Sequence, residues 1–153
     1  MLGSRISRLA AAVLLLGMGG SLFALKDNEP TLEELKARLS NASVADRPPL
    51  CLHIAEEQLK TAAKLYAAGD SENAQAALAD VVAFAKLDRD YSIQSRKHEK
   101  QSEIAIRKMV RKLTDMKHTV TRDEQAQLQS TIEQLEKARD DLLAAMFPKG
   151  GKK

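Results

Sequence analysis

The sequence has few of the residues that stabilise small proteins by means other than core packing. Its 153 residues include one cysteine, Cys51, so no intramolecular disulfide can form. There is no tryptophan, and there are only three phenylalanines and two tyrosines. Aromatic and β-branched residues favour strands, so the scarcity of aromatic residues argues against a β-sheet. The core must consist of Ala, Leu, Ile, Val and Met, a composition typical of packed helices.

Glycine and sequence motifs of known enzymes are equally scarce. Only Gly69, Gly150 and Gly151 lie beyond residue 24, too few and too scattered for a phosphate-binding loop. Neither a Gly-x-Ser-x-Gly elbow nor a His-Glu-x-x-His zinc helix occurs. We therefore predict a non-enzymatic protein with no catalytic residues and no cofactor.

The three histidines do not predict a metal site. His53 and Glu56 are three residues apart, as are Asp115 and His118, so each pair can share a helix face. Transition-metal sites usually need three or four ligands, however. Cys51 and His53 would lie on roughly opposite sides of a helix, which suits one ion poorly. We predict no metal ligands.

Cys51 lies between Leu50 and Leu52, a setting that predicts a buried thiol with the role of a small apolar residue. The alternative, in an oxidising compartment, is an intermolecular disulfide that joins two copies into a homodimer.

The first 24 residues have the order of a secretory signal. Arg5 and Arg8 precede an apolar run from Leu9 to Met18, and small residues lead to Ala24. The run is too short and too rich in glycine for a membrane span of about 20 residues. We predict signal cleavage after Ala24 and a mature protein in the periplasm or outside the cell. The alternative is an uncleaved membrane anchor.

Capping signals and helical spacing of apolar residues predict an all-α fold. Thr31 with Glu34, and Thr121 with Glu124, have the spacing of a capping box and predict two helix starts. Gly69 predicts a helix end, since glycine most readily adopts the left-handed conformation found there. Apolar residues at spacings of three and four positions between these signals predict helices with one buried face.

The longest uninterrupted segment predicts an unusually long third helix. Neither glycine nor proline lies between Ser71 and Phe147, so a helix from Glu72 can continue to Lys117, a rod of roughly 65 Å at 1.5 Å per residue. The polar stretch 92–103 leaves open whether this rod is exposed or bends there. We predict an antiparallel helical bundle of three long helices plus one short N-terminal helix. The predicted segments are a signal peptide (1–24), a short helix with a polar connection (25–47), a helical-hairpin bundle (48–147) and a flexible basic tail (148–153).

Residues 65–81 resemble the middle of a tetratricopeptide repeat. The repeat's early tryptophan and glycine and its closing proline are missing, and no second copy follows at a 34-residue period. The resemblance implies a tight helical hairpin and favours protein interaction, but it implies no repeat array, because a single repeat cannot bury its faces without neighbours. The residues that carry it are Leu65, Tyr66, Gly69, Asp70, Ala74, Leu78 and Val81.

Positive charge is concentrated in one segment. Residues 25–153 carry 22 basic and 21 acidic side chains, whereas residues 96–122 carry nine and three. Within this segment four basic residues occur at i, i+1, i+4 and i+5 and share one helix face. This face is a candidate site for an anionic partner; the alternative is a solvated surface whose charges pair with nearby acidic residues. The four residues are Arg107, Lys108, Arg111 and Lys112.

Taken with the signal peptide, these features predict an exported, non-enzymatic helical protein. We predict a periplasmic or secreted protein-interaction module with an unidentified protein partner. The alternative is a protein that binds anionic envelope surfaces through segment 96–122. Nucleic acid is disfavoured as a partner, because no aromatic residue lies among the basic residues to stack on bases.

Overall fold

The computed structural model describes residues 29–150, which form five α-helices and no strand. The predicted all-α class is therefore confirmed. The predicted signal peptide, its cleavage after Ala24 and the last three residues of the predicted tail lie outside the described residues. The helices are α1 (Leu32–Asn41), α2 (Arg47–Ala67), α3 (Ser71–Ser95), α4 (Glu99–Lys117) and α5 (Arg122–Met146).

Two of the helix starts follow from the capping residues. Before α1, the backbone N–H of Thr31 donates to the Glu34 carboxylate at 3.0 Å, and the backbone N–H of Glu34 donates to the Thr31 hydroxyl at 3.3 Å. Before α5, the backbone N–H of Thr121 donates to the Glu124 carboxylate at 2.8 Å. Each bond satisfies a backbone donor that the first helical turn leaves free. The predicted starts of α1 and α5 are confirmed.

The turn between α2 and α3 also follows from the sequence. Gly69 has a φ of +78°, in the left-handed region that glycine adopts at little cost. The backbone N–H of Asp70 donates to the Leu65 carbonyl at 2.9 Å, which closes the end of α2. Asp70 caps α3, because its carboxylate accepts the backbone N–H of Asn73. Ser71 is the first residue of α3, and its hydroxyl donates to Glu124 of α5.

The four long helices form two antiparallel hairpins, α2 with α3 and α4 with α5. The hairpins stack mainly through α3 and α5, with a smaller contact between α2 and α4, and α1 packs on α2. Helices α3 and α5 run in the same direction: Ser71 meets Glu124 near both starts, and the Arg89 guanidinium donates to Asp141 at 3.0 Å near both ends. Consecutive long helices are therefore antiparallel, while α3 is parallel to α5 and α2 is parallel to α4.

The core between the hairpins is aliphatic, as the composition predicts. Each long helix buries one row of side chains at helical spacing, and the interior contains methionine but no phenylalanine among its fully buried residues. Truncation of one such leucine to alanine typically costs about 2–5 kcal/mol. The largest fully buried members of the shared core are Ile106, Met109, Leu113, Leu128, Leu135 and Leu142.

The predicted long third helix is wrong, because the segment 72–117 is divided between α3 and α4. Helix α3 ends at Ser95 and α4 begins at Glu99. Arg96 and His98, between them, have φ values of 55° and 69°, which reverse the chain without glycine. The bundle therefore has four long helices plus the short α1. The sharp reversal lets the apolar row of α4 fold back into the core, and that burial outweighs the cost of two left-handed residues, about 1–2 kcal/mol each.

Candidate functional site

The four predicted basic residues lie together on the outer face of α4. Their spacing places them opposite the buried row that includes Ile106 and Leu113. All four side chains are exposed. We call this surface, formed by Arg107, Lys108, Arg111 and Lys112, the α4 basic face.

Few acidic groups neutralise the α4 basic face. The guanidinium of Arg107 lies 3.6 Å from the carboxylate of Glu103, one turn earlier on the same helix. Lys108, Arg111 and Lys112 form no ion pair with any residue between 29 and 150. An anion that contacts this face would therefore meet three charges without first displacing an internal partner, and exposed charges of this kind attract anions over about 8 Å at physiological salt.

The sequence also allowed a solvated surface in which acidic residues pair with these charges. Glu103 is the one acidic residue that does so within the described part of the chain. Two carboxylates of α5 pair elsewhere: Asp141 contacts Arg89 and Lys137, and Asp140 contacts Arg139. The charge excess seen in segment 96–122 is therefore retained on the folded surface.

The structure does not bring the histidines into a metal site. Within residues 29–150, no three side chains among His, Cys, Asp and Glu come close enough together to hold an ion. His53 is partly exposed and lies 4.0 Å from the Glu57 carboxylate, while Cys51 is fully buried. The two therefore point away from a common ligand position, as their alternation along α2 indicates.

Burial governs the chemistry of Cys51. The side chain has no exposed area, and burial first, then the charge of Asp88, raises the pKa of its thiol to about 12. A protonated thiol is a poor nucleophile and cannot start thiol exchange. A disulfide between two copies would require α2 to move out of the bundle, so the buried apolar role is the one that this structure supports.

A second polar group lies inside the protein, where α3 turns into α4. The hydroxyl of Ser102 donates to Oδ1 of Asp88 at 2.7 Å, the hydroxyl of Ser92 lies 3.4 Å from the same oxygen, and the two serine hydroxyls are 2.9 Å apart. None of the three side chains has exposed area. This buried triad, Asp88, Ser92 and Ser102, ties the end of α3 to the start of α4.

The buried triad is only partly satisfied. Oδ2 of Asp88 has no hydrogen-bond partner in the part of the chain that the structure describes. Burial raises the pKa of the Asp88 carboxyl to about 7, although the hydrogen bonds from Ser102 and Ser92 oppose that shift. No substrate can reach these hydroxyls, because all three side chains are enclosed. The triad is therefore a structural tie whose charge depends on pH, not a catalytic group.

Sequence reasoning missed the buried triad, although a signal was present. Asp88 and Ser92 continue the inward row of α3 that contains Val81 and Ala85, and Ser102 precedes Ile106 at the same spacing on α4. Polar residues at positions of an apolar row indicate a buried polar group that needs partners. The available evidence was three such positions, in or near the polar stretch 92–103 where the sequence left a bend open.

Comparison with models of known protein families, with curated proteins and with solved structures found no match for this chain. Over the described residues, no helix has both the length and the apolar character needed to cross a membrane.

Proposed function

We propose that this protein is an exported, non-enzymatic binding module that acts in the periplasm or outside the cell and binds an anionic envelope surface. The proposal combines the signal-like first 24 residues with the α4 basic face. The observation that carries it is the presence of four exposed basic side chains on one helix face, of which only Arg107 has an ion-pair partner within residues 29–150.

The stability of the bundle does not explain this arrangement. Exposed ion pairs contribute about 0–1 kcal/mol each, so neutral polar residues would serve α4 equally well. Like charges one turn apart, such as Arg107 with Arg111 and Lys108 with Lys112, weaken an isolated helix by up to about 0.5 kcal/mol per pair. A ligand that carries negative charge removes this repulsion.

The test is binding to anionic surfaces by a variant in which Arg107, Lys108, Arg111 and Lys112 are all changed to Gln. The matched control changes four exposed basic residues elsewhere to Gln, namely Arg38, Lys60, Lys64 and Lys137, and so alters the net charge equally. We expect the first variant to lose co-sedimentation with anionic envelope fragments or vesicles and the control to retain most of it. Equal losses in both variants, or binding by the wild type that is insensitive to salt, would refute the proposal.

Export is tested separately from binding. Mass spectrometry of the protein recovered from its own compartment should give a chain that begins at Leu25. A full-length chain in the membrane fraction would support the uncleaved anchor, and a full-length chain in the cytoplasm would refute export.

A protein partner is the second candidate, supported by a groove between α3 and α5. The groove measures about 370 Å³, and the uncharged amide and hydroxyl groups of Gln75, Gln127, Ser130 and Gln134 line it beside apolar side chains such as Leu78. Such groups can hydrogen-bond to a protein surface without the desolvation cost of charges. Ala79→Arg would place a long charged side chain in this groove. Loss of a co-purifying protein with this variant, but not with the α4 variant, would favour the second candidate.

A further inference from the structure

Phe147 is the most exposed large apolar side chain among the described residues. It is 72% exposed, and the only other exposed large apolar side chain in that part of the chain is Leu87, at 36%. The backbone N–H of Phe147 donates to the Leu143 carbonyl at 2.9 Å, so the end of α5 fixes the position of this residue. An aromatic ring held in water by an ordered backbone is unfavourable unless something covers it.

Basic side chains surround this end of the bundle. Arg96, Glu99 and Pro148 border one crevice here, together with the partly buried side chains of Ile93 and Met146. Lys149 follows at once, and Lys97 is exposed in the turn between α3 and α4. Of these cations, Arg96 and Lys97 form no ion pair with residues 29–150. We call this surface, formed by Arg96, Lys97, Phe147, Pro148 and Lys149, the Phe147 end.

The α4 basic face adjoins the Phe147 end. Because α5 runs antiparallel to α4, Phe147 at the end of α5 lies beside the first turn of α4, which carries the exposed Lys100. From Lys100 to Lys112 the helix axis extends about 18 Å. The exposed cations of α4 therefore extend along the helix from the end of the bundle at which Phe147 is exposed.

We propose that the α4 basic face lies against the headgroups of an anionic lipid bilayer and that Phe147 inserts its ring into the interfacial layer. This inference rests on the proposed function and specifies the surface that is bound. A purely anionic polymer would engage the charges but would leave Phe147 in water. A bilayer can bind both the basic side chains and Phe147. Aromatic rings partition to the level of the headgroups, and each nearby Lys or Arg adds attraction to anionic lipid. Neither contribution alone gives stable attachment, so we expect reversible binding to which both contribute.

The absence of tryptophan makes insertion directly observable. Phe147→Trp creates a single tryptophan at the proposed point of contact, and Ala68→Trp places one at the opposite end of the bundle, where Ala68 is exposed. With vesicles of phosphatidylglycerol and phosphatidylcholine, we expect emission from position 147 to shift to shorter wavelength and to be quenched by lipids brominated in the acyl chain. Emission from position 68 should not change. Unchanged emission from position 147 on vesicles that bind the protein would overturn the inference.

Binding strength gives an independent measurement. The exported protein that begins at Leu25 should be used, because the apolar residues 9–18 would insert on their own. We expect Phe147→Ser to weaken vesicle binding by about tenfold, the effect of removing one apolar side chain from its site. Leu87→Ser, on the side of α3, is the matched control and should bind as the wild type does once its folding has been verified by circular dichroism.

The outcomes separate this inference from the proposed function. If the four α4 substitutions abolish binding to anionic vesicles while Phe147→Ser has no effect, the proposed function stands and insertion of Phe147 is wrong. If the same concentration of dextran sulfate displaces the wild type and the Phe147→Ser variant from vesicles, Phe147 adds nothing to vesicle binding and the inference is again wrong. If the four α4 substitutions change nothing, the proposed function itself fails.

Discussion

The two turns that join α2 to α3 and α3 to α4 reverse the chain by different means. Gly69 makes the first turn, with a left-handed backbone that glycine adopts at little cost. Arg96 and His98 make the second, and both are residues for which the same region is unfavourable. The first turn is encoded locally, whereas contacts distant in the sequence must impose the second.

The surroundings of the second turn show where that constraint arises. Asp88 and Ser92 on α3 contact Ser102 on α4 across the turn, and Arg47 at the start of α2 donates to the Tyr91 hydroxyl at 3.0 Å while its guanidinium lies 5.0 Å from the Tyr91 ring centre. The first turn needs no such support. A turn that local sequence disfavours can thus persist when the elements on either side are held together.

The largest expected effect on stability comes from the ionisation of Asp88 as the pH rises. Burial raises its pKa from 3.8 to about 7, so the folded protein holds this proton more tightly than the unfolded chain does. The contribution of Asp88 to stability is therefore fully present below about pH 4, falls as the pH rises to about 7, and then levels off. Each pKa unit corresponds to about 1.4 kcal/mol, so the total loss is at most about 4 kcal/mol.

Asp88→Asn should remove this dependence and should be more stable than the wild type above about pH 7. Urea unfolding at a series of pH values measures the pH dependence of stability. The matched control is Asp90→Asn, which changes an exposed carboxylate on the same helix. The relevant quantity is the difference in unfolding free energy between the variants at each pH, because it isolates the substituted carboxyl. A pH profile of Asp88→Asn that parallels the wild type would show that the carboxyl is ionised in the folded protein at no cost.

A smaller loss of stability is expected when Gly69 in the first turn is replaced by another residue. Gly69→Val should lower the free energy of unfolding by about 1–2 kcal/mol, because valine adopts the left-handed conformation poorly. No atom lies within 4 Å of the position that a Cβ would occupy, so the cost is conformational and not a steric clash. Gly69→Asn is the control, since asparagine tolerates this region and should lose less. Equal urea midpoints for glycine and valine would mean that the turn can change its backbone freely.

At the second turn, by contrast, a substitution to glycine is expected to increase stability. Arg96→Gly should raise the free energy of unfolding by roughly 0.5–1 kcal/mol, because glycine removes the left-handed penalty at a φ of 55°. Arg96→Ala removes the same exposed charge without that relief and should give no gain. Thermal and urea unfolding of the three proteins measure the difference. A loss of stability with glycine would indicate that the Arg96 side chain itself holds the turn.

The contrast between the turns also explains what the sequence could predict. Capping residues such as Thr31 and Thr121, and the glycine at position 69, act within a few residues, so those helix ends were predicted correctly. The end of α3 depends on Asp88 and Ser102, which are brought together only after the chain has folded back. The α4 basic face follows from helical periodicity alone. The lack of ion-pair partners for Lys108, Arg111 and Lys112 within residues 29–150, like the exposure of Phe147, depends on where α5 places its own charges and its last turn.

The parallel alignment of α3 with α5 bears on whether further helical hairpins could stack on this bundle. Two hairpins that stack in the same orientation are related much as neighbouring units of a solenoid are, and such stacking can in principle continue. On one side, α1 packs on α2 and buries Leu35 to 1% exposure. On the α4 side, a further hairpin seated on the outer face would have to bury Arg107, Lys108, Arg111 and Lys112, a cost that apolar contact does not offset. The same charges that we propose for binding would thus also act as a cap that limits the stack to two hairpins.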